Sequence, residues 1–140
     1  MRKRLAVALS GLVLLSASAA SAAEPKAKVE PPFFELQPIG FPVVFKGELV
    51  NYVFVNLKLM LDPKQDAAKL HAREPFIRDL LVREGARAPF NVPDSQVRLD
   101  DGRLKAAVMA ASRTAFGAGV VTSVQIVSET PQRRTGMGGR

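Results

Sequence analysis

The chain has 140 residues, with 20 Lys and Arg against 13 Asp and Glu and a formal net charge of +7, but the excess sits at its two ends. Residues 24–130 hold 14 basic and 13 acidic side chains, a net of +1, so the one-sided basic field that phosphate binding uses is missing and nucleic acid is not an expected partner. With no cysteine there is neither a disulfide framework nor a cysteine-linked lipid anchor, and stability has to come from apolar burial.

Arg2, Lys3 and Arg4 precede an apolar stretch at 5–15 and a run of small residues at 16–23, where Ala20-Ser21-Ala22 reads as an Ala-x-Ala peptidase site. Residues 1–23 are therefore an export signal or a membrane anchor, with the basic cluster left on the cytoplasmic side. The 19 residues at 5–23 approach the roughly 20 apolar residues of a helical span. Four serines and a glycine dilute them, so cleavage is the expectation; an uncleaved segment would hold the chain at the inner membrane. Either way the remainder is expected outside the cytoplasm. Residues 24–32, rich in Ala, Lys, Glu and Pro, read as a linker, and the residues beyond them suffice for one domain of roughly 100 residues.

Residues 33–40 begin with Phe33-Phe34, read either as a partner anchor or as the chain's entry packed on a sheet. Residues 41–45 form a short aromatic and β-branched strand, with Pro42 suited to an edge. After a turn at 46–48, residues 50–61 alternate. Val53, Val55, Leu57, Leu59 and Leu61 share an apolar face that must be covered. Tyr52, Phe54, Asn56, Lys58 and Met60 share a mixed face, free to stay wet or to meet a partner. A hairpin results. Asp62 and Pro63 predict the start of a helix striped by Ala67, Leu70, Ile77, Leu80 and Leu81. Pro75 predicts a kink or a restart, and Gly85 the end. Residues 86–97 read as loop. Asp100 and Asp101 cap a second helix striped by Leu104, Ala107, Val108, Ala111 and Ala115, stopped by Gly117 and Gly119. Residues 120–127 are the last strand, and 130–140 read as a disordered tail by composition. The predicted fold is α+β: a small sheet of about three strands, a hairpin plus a C-terminal strand, with two to three helices on one face.

Chemistry-bearing patterns are sparse. His71 is the only histidine, so a Ser-His-Asp arrangement or a zinc site would need partners the chain does not supply. Gly117-Ala118-Gly119 follows a helix and precedes a strand, the reverse of a phosphate-binding loop. Asp100-Asp101-Gly102 lacks the alternating ligands of a calcium loop. No enzymatic activity, metal or cofactor is expected.

Three segments carry a family resemblance: the hairpin at 41–61, Pro75-Phe76-Ile77-Arg78-Asp79-Leu80-Leu81, and Gly102-Arg103-Leu104-Lys105 followed by the strand after Gly119. Together they resemble the periplasmic domain of the FliL family, the flagellar basal-body-associated proteins, over residues 33–129. Where that family usually ends in an aromatic-rich strand, Val124-Gln125-Ile126-Val127-Ser128 has no aromatic. The resemblance implies a non-enzymatic accessory of the flagellar motor, self-associating and in contact with stator or basal-body proteins. A general envelope binding or scaffold protein without a motility role is the alternative. The interface residues expected are Arg78, Asp79, Phe33, Phe34, Tyr52 and Phe54.

Overall fold

The alternation read between residues 50 and 61 is the spine of the molecule. The structure, a computed structural model, describes residues 29–132; the expected export segment, most of the expected linker and the expected tail beyond 132 lie outside the described residues. Strand β2 (Glu48–Leu61) is the middle of a three-stranded antiparallel sheet, flanked by β1 (Phe33–Phe45) and β3 (Val121–Pro131). Its inward residues, Val53, Val55, Leu57, Leu59 and Leu61, are all buried. The expected α+β architecture is present: a helical layer covers this one face.

β1 begins eight residues before the expected strand, because its inward set changes phase midway. Phe34 and Leu36 point into the core, and so do Ile39, Phe41 and Val43. Leu36 pairs with Leu57 and Ile39 with Val55, so Gln37 and Pro38 together face the single residue Asn56. That bulge converts even inward positions to odd ones and hides the period-2 pattern. Lys46 (φ 52) and Gly47 (φ 81) then close a two-residue hairpin of the kind that requires positive φ at both positions.

The helical layer departs from expectation at its start. Asp62 does not cap a helix; its carboxylate accepts from Lys64 N–H and closes a turn. Asp66 is the cap, accepting from Ala68 N–H, of the single-turn helix α1 (Ala67–Leu70), which tightens into a 3-10 turn at His71–Arg73. The long helix α2 (Glu74–Arg87) restarts there, with Pro75 in its first turn, where the missing N–H costs nothing. α3 (Asp101–Phe116) has the expected cap: Asp100 accepts from Arg103 N–H. It ends at Gly117 (φ 101). β3 continues to Pro131, past the expected boundary of the tail, because Thr130 and Pro131 still pair with Phe54 and Val53.

Gly85 does not end α2, which runs two residues further; it is buried against the sheet. A Cβ there would lie 2.7 Å from Cδ1 of Phe41 and 3.4 Å from Phe90. Phe41 and Phe90 meet edge to face at 5.3 Å, an arrangement worth about 0.5–1.5 kcal/mol beyond area burial. Glycine is present here for closeness of approach rather than for backbone freedom. Gly85→Ala should therefore cost about 1–3 kcal/mol through overpacking, a fall of at least about 4 °C in melting temperature for a domain of this size. In a Phe41→Leu background the same change should cost less; thermal melts followed by circular dichroism measure both.

Candidate functional site

Among the described residues, nothing covers the sheet face opposite the helices. Along it, β1 contributes Phe33, Glu35, Gly40 and Pro42; β2 contributes Tyr52, Phe54, Asn56, Lys58 and Met60; β3 contributes Ser123, Gln125, Ser128 and Thr130. Phe33 and Tyr52 each keep 39% of their surface exposed and Phe54 43%, and the three share this face. The register fixes their neighbours. Phe54 pairs with Gly40, whose absent Cβ lets the ring lie against the β1 backbone: a Cβ would stand 3.1 Å from Phe54 Cε1. Lys58 Nζ sits 3.7 Å from the centroid of the Phe33 ring, a cation–π contact. Asn56 Nδ2 donates to Ser128 Oγ at 2.9 Å and links β2 to β3.

At the level of Asn56 the face carries a depression of about 250 Å³, lined by Glu35, Gln37, Pro38 and Val127 among others. Bulges produce it on both sides. On β1 the extra residues are at 37–38; on β3 the register shifts between Ile126 and Ser128, which ejects Val127 to 58% exposure.

Three of the six residues expected at an interface, Phe33, Tyr52 and Phe54, share this face. Phe34 does not. It is 1% exposed and belongs to the core, with its ring edge-on to His71 at 4.7 Å and to Phe116 at 6.0 Å, because strand alternation sends it opposite to Phe33. Arg78 and Asp79 lie on the helical side. Arg78 Nη1 donates to Gln37 O at 2.6 Å and Nη2 to Pro38 O at 3.3 Å, so its guanidinium ties α2 to the bulge. One helical turn earlier, Glu74 Oε1 accepts from Gln37 N–H at 3.1 Å. Asp79 pairs with Arg83, four residues on, at 2.9 Å in an exposed position. His71 is exposed, with Nδ1 3.6 Å from Glu74 Oε2. Sequence reasoning missed Gly40 and Val127 as parts of the open face; the first is legible only through its cross-strand partner and the second only through the bulge.

One carboxyl stands out electrostatically. Glu129 is held above the ordinary glutamate value, first by burial and then by the charge of Asp101, with Arg98 opposing. Its Oε1 is buried without a hydrogen-bond partner. Two carboxylates cannot donate to each other, so a proton shared with Asp101 would supply the missing donor.

Comparison with protein-family models gives no match, and comparison with curated proteins gives none either.

Two outcomes are expected. Arg78→Ala should leave a folded domain that has lost about 1 kcal/mol, a fall of about 4–8 °C in melting temperature. For Glu129 the folded state binds its proton more tightly than the unfolded state. Its contribution is complete below the unfolded value of 4.5 and is lost as pH rises through the elevated folded value. Glu129→Gln should therefore stabilise the protein at pH 8 and change it little at pH 4; urea denaturation at the two pH values checks the sign.

Proposed function

We propose that this chain is a non-enzymatic accessory protein of the bacterial cell envelope, resembling FliL, that supports the flagellar motor through contacts with stator or basal-body proteins. The observation that carries the reading is the open sheet face. A small domain that leaves Phe33, Tyr52 and Phe54 half-exposed on one surface, beside half-buried Lys58 and Met60, has the composition of a protein-binding patch: aromatic and methionine anchors with few charges. The resemblance points the same way. Its most specific segment, Pro75 to Leu81, supplies the Arg78 contact to the bulge beneath that face, together with the buried Ile77 and Leu81. A linker between export segment and domain suits a tethered interaction module, facing the periplasm and at the inner membrane if the segment is uncleaved.

The test is genetic and uses the full chain. Deletion should slow swimming under viscous load, and the wild-type chain should restore it. A chain carrying Tyr52→Ser and Phe54→Ser should not restore it, although both positions are exposed and the variant should stay within about 1 kcal/mol of wild-type stability. Normal swimming speed in the deletion strain, where the parent demonstrably makes the protein, would overturn the motor role and leave the face to a general envelope scaffold.

A further inference from the structure

The two edges of the sheet are treated differently. On β1 side chains occupy backbone groups at two places: Gln37 N–H is bound by Glu74 and the carbonyls of Gln37 and Pro38 by Arg78, and both N–H and C=O of Val44 are bound by Asn91. On β3, among the described residues, the backbone hydrogen bonds run to β2 or to the segments at its ends, and none covers the outer edge. Composition does not protect it either. Residues 120–128 contain no charged residue and no proline, and five of the nine are Val or Ile. Solitary edges are normally blunted by charge, proline, bulges or a covering element. Here Glu129, Pro131 and the bulge at Val127 gather at one end, and register shifts near Thr122 and Val127 leave residues 123–126 as a regular uncovered stretch.

We propose that the outer edge of β3 is a self-association seam, where residues 123–125 pair antiparallel with the same residues of a second copy, Val124 opposite Val124 and Ser123 opposite Gln125, and join two three-stranded sheets into one of six. The occupant follows from charge and from closure. Antiparallel self-pairing of an uncharged stretch sets no like charges opposite one another and keeps Glu129 and Pro131 outside the seam. A strand added to the β1 edge of the next copy would be interrupted at residues 37–38 and 44, whereas a second β3 offers an uninterrupted match, and that contact closes with two-fold symmetry. The pairing extends the sheet in its own plane, so the open faces of both copies lie side by side. This inference rests on strand geometry and stands or falls independently of the motor role.

The absence of cysteine makes the test clean. The full chain carrying Ser123→Cys and Gln125→Cys, both at exposed positions, should form a disulfide-linked dimer on oxidation in cells, whereas Tyr52→Cys on the open face should stay largely monomeric. In mild detergent, sedimentation velocity should show the wild-type chain dimerising with rising concentration. Ser123→Lys with Gln125→Lys should raise the dissociation constant about tenfold or more, since four lysines would then line the seam, with an unchanged circular dichroism spectrum. A wild-type chain that is monomeric throughout, or a dimer unmoved by the lysines, would overturn the proposal, as would equal crosslinking at Tyr52.

Discussion

Gln37 and Pro38 occupy two places in β1 where β2 offers only Asn56, and most of the molecule is arranged around that mismatch. Without it, one half of β1 would present its apolar set to solvent. Ile39, Phe41 and Val43 are all fully buried, and burial of such side chains is worth about 1.5–3 kcal/mol each. The bonds from Glu74 and Arg78 to the bulge are partly exposed and contribute about 0.5–1.5 kcal/mol apiece. Packing therefore selects the bulge, and the helix side chains orient it. In return the bulge positions α2, whose Ile77 and Leu81 reach the core and whose Gly85 allows the helix to come down onto Phe41.

Much of this fold was legible in the chain itself. The five inward residues of β2, the cap at Asp100, the helix restart at Pro75 and the closing strand follow from period, capping chemistry and proline geometry, all local effects. What was not legible depends on partners distant in sequence. The first half of β1 lost its alternation to a bulge that α2 stabilises from about 40 positions away. Gly85 reads as a helix terminator until Phe41 is placed beside it. Asp62 is as good a capping residue as Asp66, and the choice between them was made by the turn that Asp62 closes with Lys64.

The open face divides the same way. Tyr52 and Phe54 could be placed opposite the apolar face of β2 by counting in twos. Phe33 and Phe34 could not be told apart without knowing that the strand already begins there. Arg78 and Asp79 are adjacent in sequence but serve different ends: one binds backbone carbonyls of β1, the other an arginine one turn along its own helix. Adjacency on a helix separates side chains by about 100°, so a two-residue motif need not be one site.

The connection from β2 to β3 passes through the whole helical layer, which bears on how the chain acquires its shape as it is made. The β1–β2 hairpin is local and can form as soon as residue 61 is available, yet its inward surface is then bare. β3 arrives some 60 residues later, after both long helices. Pairing across such a separation is intrinsically slow, and uncovered apolar strands are the species that aggregate in the interval. The hairpin thus spends its early life as a two-stranded sheet with both edges and one greasy side exposed, and the side-chain stoppers that later close β1 all lie in segments not yet synthesised. A chaperone that shields residues 33–61 until α2 docks would act at the moment when this sequence is most vulnerable.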